Sequence, residues 1–426
     1  MSAALPGHKR KEVAVMKVLW MSINPALYRP GPFGNWSTAL ETALLKYHGD
    51  ELQLAVAFES DREEPFKVRQ DGVDYYPVLC TLPHSRIDER WAVLRAGLLA
   101  AIDDFRPDVI HCFGTEWLHG AIAREISVPV VVHMQGFLNI YHEMTAMAFP
   151  KAKPPWYSTR GMKSRLRGLI RRPTAMNRDA FEREVMRANR YFMGRTAWDR
   201  NIVRYYSPGS MYFYAPEAIR PAIYQAAGSW QFRPGTKLRL LTVSLADERK
   251  GNEIILRTAR LLKDLLGLDF EWRVTGKAAD FAAAEARSGL RHEQVNVSLI
   301  GKIDAPQIVS ELREATLFVH PSLIDNSPNA VCEAQLIGCP VVASNVGGVP
   351  QLVEHGQTGF LYPYNEPHTL AFLIGDIFAD GPLLTRISSN EAACAAQRHD
   401  PKRVADTVVD IYRAVVDDYR KNKAEG

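Results

Sequence analysis

The sequence has no long apolar run and no recognisable leader. None of its apolar stretches approaches the roughly 20 residues that a membrane-spanning helix needs. The amino terminus, MSAALPGHKRKEVAV, is basic but lacks the apolar core of a signal peptide, so we expect a frayed tail there. Both absences predict a soluble, cytoplasmic protein.

Cysteine and net charge are also scarce. The five cysteines are an odd number, lie far apart and include no pair at metal-ligand spacing, which predicts buried free thiols in a reducing compartment. A net charge of +4 over 426 residues is too small for a nucleic-acid binder, so any positive patch must be local. The length exceeds what one core can hold and predicts two domains of roughly 200 residues.

Strands and helices alternate through most of the chain. The apolar run Lys17 to Ser22 leads into a loop containing Gly31 and Gly34, and Asn35 then caps a helix. After His133 the alternation lapses until about residue 177. The segment from Ala215 to Lys237 has the proline and glycine content of a linker, and alternation then resumes.

This pattern predicts an α/β fold of two Rossmann-like, doubly wound parallel-sheet domains that face each other across a cleft. We expect an N-terminal domain over 16–220 with a basic insert at 137–176, and a C-terminal domain over 236–400. The helix predicted at 401–426 is expected to pack back toward the N-terminal domain.

The stretch DNSPNAVCE carries an acid at each end, Asp325 and Glu333. It follows the strand LFVHPS, and ligands of open parallel sheets bind beyond the carboxyl ends of strands. Ser327 and Pro328 predict a helix start, with the stop at Gly338. The first amides of that helix suit a phosphate or a sugar hydroxyl, and a glutamate inside it can accept hydrogen bonds from a diol. Alternatively, the two acids are a loop cap and a solvated helix residue.

The stretch HPSLIDNSPNAVCEAQLIGCPVVASNVGGVPQLVEHGQTGFLYP resembles the signature of family 4 of the retaining glycosyltransferases, which have the GT-B fold. The two acids keep the family's spacing, with Asp325 in place of the more usual glutamate. The resemblance covers the C-terminal domain by motif and the N-terminal domain by layout. It implies transfer of a sugar from a UDP- or GDP-sugar to a saccharide, lipid-linked or small-molecule acceptor, in the synthesis of cell-surface polysaccharide or glycoconjugate.

The resemblance also implies roles for individual residues. Glu333 would bind the nucleotide ribose, while Asp325 and the loop amides would contact the donor sugar. Lys250 and Gly251 match the family's phosphate-binding Lys-Gly. His133 matches its active-site histidine, and the glycine loop would approach the donor phosphate or the acceptor. The donor-binding loop is the segment of Asn326, Ser327, Pro328 and Asn329, and the glycines are Gly31 and Gly34.

One position departs from the family. Leu245 stands where an arginine usually grips the diphosphate, so Arg249 or Arg195 is expected to supply the second cation. Arg195 could instead pair with Asp199, four residues further along. His133 could be a structural histidine at a strand end. Further residues that could lie on the acceptor side are His111, His119, His142 and Glu143.

The chemistry implied by the resemblance is front-face transfer in which the leaving phosphate helps to take the acceptor proton. The protein would supply positioning and positive charge through Lys250, an arginine and helix amides. No metal motif is needed for this, so we expect no metal and no cofactor.

The segment Lys151 to Pro173 has eight basic residues and no acid, with aromatic and apolar residues between them. It is either a solvated loop or a contact with an anionic membrane on the inner face of the plasma membrane, or with a lipid-diphosphate acceptor. Nucleic acid is disfavoured because the cleft has another explanation. The remaining functional alternatives are a GT-B sugar-nucleotide epimerase, a phosphorylase, for which no pyridoxal-binding lysine context is present, and a non-catalytic sugar-nucleotide-binding protein.

Overall fold

The computed structural model describes residues 15–29, 36–149, 178–235, 237–243 and 247–425. Within these ranges it contains two sheets, of eight and six strands. Each sheet has helices against its faces, and the two sheets are joined through residues 215–237. This confirms the prediction of two parallel-sheet α/β domains. The glycines Gly31 and Gly34, Leu245 and the basic segment Lys151 to Pro173 lie outside the described residues.

The N-terminal sheet has the strand order β3-β4-β2-β1-β5-β6-β7-β8. All its neighbouring strands are parallel except the edge pair β3 and β4. The strands are apolar because helices cover both faces. They are β1 (Met16–Ser22), β2 (Leu52–Ser60), β3 (Val68–Gln70), β4 (Val73–Leu79), β5 (Val109–Phe113), β6 (Val130–His133), β7 (Tyr191–Gly194) and β8 (Met211–Tyr214).

Five described α-helices belong to this domain, together with a 3₁₀ helix at Leu118–Arg124. One of them, α3, lies inside the region where the sequence showed no alternation, and the β3–β4 edge pair was likewise not predicted. α3 has no fully buried residue, so it lies at the surface of the domain and not in its core. The helices are α1 (Trp36–His48), α2 (Ile87–Phe105), α3 (Leu138–Ala148), α4 (Arg178–Ala188) and α5 (Ala197–Tyr206).

The C-terminal sheet is parallel throughout and has the order β11-β10-β9-β12-β13-β14. Its strands are β9 (Leu238–Thr242), β10 (Phe270–Val274), β11 (Val297–Leu299), β12 (Leu317–His320), β13 (Val341–Ser344) and β14 (Phe360–Tyr362). Its helices are α6 (Pro221–Tyr224), α7 (Asn252–Asp264), α8 (Ala278–Ser288), α9 (Ala305–Glu314), α10 (Asn329–Ile337), α11 (Val349–Leu352), α12 (Pro367–Phe378) and α13 (Gly381–Arg398), with 3₁₀ helices at Glu248–Lys250 and His292–Val295.

The linker is packed rather than loose. Ala215 and Ala218 lie in the N-terminal core, whereas Ile223 and Trp230 lie in the C-terminal core. The Trp230 indole donates a hydrogen bond of 2.7 Å to the Ala315 carbonyl. The connection is therefore held at both ends by buried side chains.

The last helix, α14 (Pro401–Glu425), packs on the N-terminal domain against α1. Val404, Val408, Tyr412 and Val415 along it are fully buried in a core shared with β1 and β5. None of the helices in the described ranges is long and apolar enough to cross a membrane. Four cysteines are buried free thiols as predicted, but Cys394 is exposed on α13.

Truncation of Val408 tests this docking of α14. Val408→Ala removes two methyl groups from a fully buried site, which should lower the free energy of unfolding by about 2 kcal/mol. Urea unfolding followed by tryptophan fluorescence measures the change. Asp417→Ala, at an exposed position of the same helix, is the control and should be close to neutral. Equal stability of the two variants would contradict the buried packing of α14.

Candidate active site

The two predicted acids lie at the carboxyl edge of the C-terminal sheet, in the loop after β12 and on α10. The helix begins at Asn329 and ends at Ile337, and the residue that caps it is Gly338, whose φ of +86° favours glycine. The predicted Ser327 cap was wrong. The Ser327 hydroxyl instead donates a hydrogen bond of 2.6 Å to Glu217, a buried carboxylate of the linker. A cap would require the Ser327 hydroxyl to accept a hydrogen bond from a helix amide, and none is found among the described residues.

Lys250 and Asp325 are brought together although 75 residues separate them. The Lys250 Nζ lies 2.5 Å from Asp325 Oδ2, and the His320 Nε2 lies 3.2 Å from the same oxygen. Burial alone would raise the pKa of the Asp325 carboxyl, but Lys250 and His320 outweigh burial and hold that pKa well below its usual range. Asp325 is therefore ionised and Lys250 has a carboxylate partner in the structure.

Gly251 makes this approach possible. Its φ is +79°, and a Cβ built there would lie 2.0 Å from the Pro321 carbonyl oxygen. Any side chain would push the Lys250 turn away from the loop that follows β12. The glycine of the Lys-Gly pair thus has a packing role next to the expected phosphate site.

Arg249 faces the N-terminal domain. Its guanidinium is hydrogen-bonded to Asp247, with Nε 2.9 Å from Oδ2, and its carbon Cζ lies 4.4 Å from the centre of the Tyr141 ring on α3. Burial alone would lower the pKa of Arg249, but Asp247 outweighs it and raises that pKa. Arg249 therefore reaches the cleft, but with a carboxylate already bound to it.

Asn326 joins the two domains. Its Nδ2 donates hydrogen bonds to Asp199 Oδ2 at 3.0 Å and to the Gln135 carbonyl at 3.3 Å. Its Oδ1 accepts a hydrogen bond of 2.6 Å from the Thr196 hydroxyl. With both amide hydrogens and the oxygen engaged, the Asn326 side chain fixes the loop rather than offering groups to a ligand.

The glycine pair Gly347 and Gly348 supports the same loop. A Cβ on Gly347 would lie 2.0 Å from the Asp325 carbonyl oxygen, and one on Gly348 would lie 2.3 Å from the Asn326 carbonyl oxygen. The Gly348 amide also donates to the Asp325 carbonyl at 3.0 Å. The absence of side chains at 347 and 348 therefore lets this backbone lie against the loop that carries Asp325.

Glu333 is paired with an arginine that the sequence reading missed. Arg220, directly before α6 in the linker, donates to Glu333 Oε1 from Nη2 at 2.7 Å and from Nε at 3.0 Å. Burial raises the pKa of Glu333, and Arg220 opposes that shift. Because Arg220 lies 113 residues from Glu333 in a proline-containing linker, only the folded chain reveals the pair.

Arg195, at the end of β7, is buried and does not pair with Asp199 through its side chain. Asp199 accepts a hydrogen bond from the Arg195 backbone amide at 3.0 Å as part of the cap of α5. The guanidinium donates to the Gln135 carbonyl at 3.1 Å and lies 3.8 Å from Glu217. Its Nε has no hydrogen-bond partner among the described residues. The guanidinium therefore keeps a free donor.

His133 ends β6 and is buried beside Trp36, with ring centres 4.9 Å apart. Its Nδ1 lies 3.2 Å from His111 Nε2, and its Nε2 is buried with no partner in the described part of the chain. Burial, with smaller effects from His111 and Arg195, holds the pKa of His133 well below its usual value. The ring is therefore neutral.

The other N-terminal residues considered for the acceptor side are dispersed. His119 is buried 3.5 Å from Glu59, while His142 and Glu143 are exposed on α3 and His142 pairs with Asp179. A narrow pocket, not foreseen from the sequence, lies at the carboxyl ends of β2 and β5. Its polar lining includes Glu59, Arg90, Glu116 and Arg178. Burial raises the pKa of Glu116 to about 7.

One group of side chains in the described ranges has the composition of a metal site, namely Glu285, His292 and Glu293. It lies near the amino end of β11, whereas Asp325 lies beyond the carboxyl end of β12, so the two are at opposite ends of the parallel strands. Glu285 already accepts a hydrogen bond from the His292 backbone amide at 3.1 Å. This group is therefore not part of the candidate active site.

Comparison with known proteins adds to this geometry. The family model "Glycosyl transferases group 1" matches residues 230–393, and "Glycosyl transferase 4-like domain" matches residues 42–198. The chain is 31% identical over 163 residues to "Amylovoran biosynthesis glycosyltransferase AmsK" of Erwinia amylovora, covering 36% of this chain and 37% of that protein. The match thus spans little more than a third of that relative's length.

Solved structures share the fold. Sucrose-phosphate synthase from Thermosynechococcus elongatus superimposes with a TM-score of 0.72 at 15% identity, over 94% of this chain and 99% of that one. Anabaena Alr3699/HepE, solved in complex with UDP-glucose, gives a TM-score of 0.60 at 19% identity, over 94% and 100% of the two chains. With glycosyltransferase models on both α/β domains and GT-B enzymes as structural neighbours, the chain belongs to the family 4 GT-B glycosyltransferases.

Proposed function

We propose that the protein is a retaining glycosyltransferase that moves a sugar from a nucleoside diphosphate sugar to a saccharide or lipid-linked acceptor in cell-surface glycan synthesis. The observation that carries the proposal is the Lys250–Asp325 pair at the carboxyl edge of one sheet, with Glu333 on the helix that follows Asp325, opposite Arg195 and His133 of the other sheet. The UDP-glucose complex of Alr3699/HepE supports a UDP-sugar, and a GDP-sugar is the alternative.

The donor would bind by exchanging counter-ions. Lys250 is paired with Asp325, so an arriving diphosphate would share the ammonium while Asp325 turns to the sugar hydroxyls. Glu333 uses one carboxylate oxygen for Arg220, which leaves the second oxygen for the ribose diol. The diphosphate would add negative charge to the site, so Lys250 and a second cation would have to offset it.

Arg195 is the better candidate for the second phosphate cation. Arg249 is hydrogen-bonded to Asp247 and would have to break those bonds before binding phosphate. The Arg195 guanidinium lies 3.8 Å from the Glu217 carboxylate, which is beyond hydrogen-bond distance. Its Nε has no hydrogen-bond partner among the described residues. It could therefore bind an anion without losing a hydrogen bond to Glu217.

The reaction would depend on positioning and charge. Lys250, Arg195 and the amides of α10 would stabilise the departing nucleoside diphosphate, and neutral His133 would contact the transferred sugar. The leaving phosphate would take the acceptor proton on the same face, which retains the anomeric configuration. Metal independence, a cytoplasmic location and membrane contact through Lys151 to Pro173 are part of this proposal.

The proposal is tested first by acceptor-dependent release of a nucleoside diphosphate from UDP- and GDP-sugars, with the anomeric configuration of the product read by NMR. Transfer with retention is expected. Interconversion of sugar nucleotides without transfer would identify an epimerase instead. Binding without turnover of either kind would identify a non-catalytic binding protein.

The ribose role of Glu333 gives a binding prediction. Glu333→Ala should weaken donor binding by about 1–3 kcal/mol, because the mutation removes a buried carboxylate that would accept hydrogen bonds from the diol. Titration calorimetry with UDP and GDP measures the loss. Glu354→Ala, at an exposed position in the same domain, should bind as wild type. Unchanged affinity in Glu333→Ala would rule out the ribose contact.

Lys250 gives a separate prediction for the diphosphate. Lys250→Ala should weaken nucleoside diphosphate binding by about 2–4 kcal/mol, since the ammonium acts in a part-buried site. Binding of the nucleoside without phosphates should change much less. Lys263→Ala, with an exposed lysine on α7, is the matched control. If Lys250→Ala binds the diphosphate as tightly as wild type, the phosphate does not lie at Lys250.

His133 should affect turnover more than binding. His133→Ala is expected to lower kcat by on the order of 100-fold while donor affinity changes by less than about threefold, because the ring would act near the transition state. Steady-state kinetics and donor calorimetry on the same protein separate these effects. A wild-type kcat in the variant would show that His133 has a structural role and no part in turnover.

A further inference from the structure

A buried chain of hydrogen bonds leads to His133 from the last helix of the protein. The Trp20 Nε1 on β1 lies 3.0 Å from the Tyr412 hydroxyl on α14. That hydroxyl lies 2.7 Å from His111 Nδ1 on β5. The His111 Nε2 in turn lies 3.2 Å from His133 Nδ1 on β6. All four side chains are buried, so water does not compete for these contacts.

The hydrogen bond from Trp20 to Tyr412 determines the direction of all the hydrogen bonds in this series. An indole N–H can only donate, so the Tyr412 oxygen must accept from Trp20. The hydroxyl proton of Tyr412 then needs an acceptor of its own. Among the contacts of the described residues, His111 Nδ1 is the available one. Tyr412 keeps that proton, because burial raises the pKa of its hydroxyl.

The tautomers of both histidines follow from this direction. His111 accepts at Nδ1, so its neutral ring carries the proton on Nε2 and donates it to His133 Nδ1. His133 therefore accepts at Nδ1 and carries its own proton on Nε2. Both rings are neutral because burial lowers the pKa of each well below its usual value.

The opposite direction is less favourable. If His111 carried its proton on Nδ1 and donated to Tyr412, the Tyr412 proton would have no acceptor among the described residues. A buried hydroxyl proton without an acceptor is costly, because it has lost water and gained nothing. The direction from Trp20 to His133 leaves each linking proton hydrogen-bonded.

We propose that Tyr412 and His111 are positioning residues that set the tautomer of His133, so that its Nε2–H is a hydrogen-bond donor at the carboxyl edge of the N-terminal sheet. The Nε2 atom is buried and has no partner within the described ranges, so it is free for an oxygen of a ligand. That this ligand is the donor sugar or its phosphate rests on the proposed function. In this tautomer His133 donates a hydrogen bond and does not act as a base toward the ligand.

The tautomer can be measured directly in the intact protein. Long-range ¹H–¹⁵N NMR of histidine-labelled protein distinguishes protonated from unprotonated ring nitrogens, and loss of a signal in His133→Asn assigns its resonances. We expect His133 protonated on Nε2 and unprotonated on Nδ1 across neutral pH. A protonated Nδ1 in the wild type would overturn the proposal whether or not the protein transfers sugar.

Tyr412→Phe tests the origin of this tautomer. It keeps the aromatic ring but removes the proton that His111 accepts, so His133 should become a mixture of tautomers. Turnover should fall by about tenfold, while donor affinity stays within about twofold. Tyr419→Phe, which removes a hydroxyl from the same helix outside the chain of hydrogen bonds, should leave spectrum and kinetics unchanged. A wild-type tautomer and wild-type kcat in Tyr412→Phe would overturn the role of Tyr412.

If the proposed function is wrong, no sugar transfer will be found in any variant, but the spectra will still show whether Tyr412 controls His133. If only the positioning role is wrong, transfer will persist at the wild-type rate in Tyr412→Phe. The two failures therefore have different signatures.

Discussion

The candidate active site depends on the hydrogen bonds that the loop after β12 makes outside its own domain. Asn326 binds Asp199, Thr196 and the Gln135 carbonyl of the N-terminal domain, and Ser327 binds Glu217 of the linker. These bonds hold the loop at the interface of the two sheets, so Asp325 faces the cleft. The requirement for glycine at 347 and 348 follows from the same loop, because its carbonyls occupy the space that side chains would need.

Charge in the cleft is balanced before any ligand arrives. Lys250 is paired with Asp325, Glu333 with Arg220 and Arg249 with Asp247, and Arg195 lies near Glu217. Unpaired charges in such a site would be costly, so the protein supplies each with a partner. A diphosphate sugar brings further negative charge, and Lys250 and Arg195 can share their positive charge with it by changing partners. This explains how acidic side chains can line a site for an anionic substrate.

The sequence predicted the fold well because its signals are local. Apolar strands, glycine-containing turns and the spacing of Asp325 and Glu333 are each read within a short stretch. The partners of the predicted residues could not be read in this way. Nothing in the local sequence marks these partners, which lie in the linker or on the last helix. Folding brings Arg220 to Glu333, Glu217 to Arg195 and Tyr412 to His111.

The error at Ser327 has the same physical origin. A serine hydroxyl before a proline can accept a hydrogen bond from a helix amide as a cap, or it can donate its proton to an acceptor elsewhere, and the local sequence favours the first. In the fold a buried carboxylate, Glu217, lies within 2.6 Å and takes the hydrogen bond. The cap is lost, but the helix still starts near the predicted position, because the proline restricts the backbone and the apolar face of α10 is buried.

A sequence motif can place His133 in the active site but cannot give the tautomer of its ring. Its place at the end of β6 agrees with a residue of the active site, yet an imidazole there could donate or accept a hydrogen bond. The difference depends on the nitrogen that carries the proton, and in this fold that is decided by residues of β1, β5 and α14. Docking of the last helix on the N-terminal domain therefore does more than cover a core. It places the Tyr412 hydroxyl where its proton, through His111, sets the tautomer of His133, which lies 279 positions earlier in the chain.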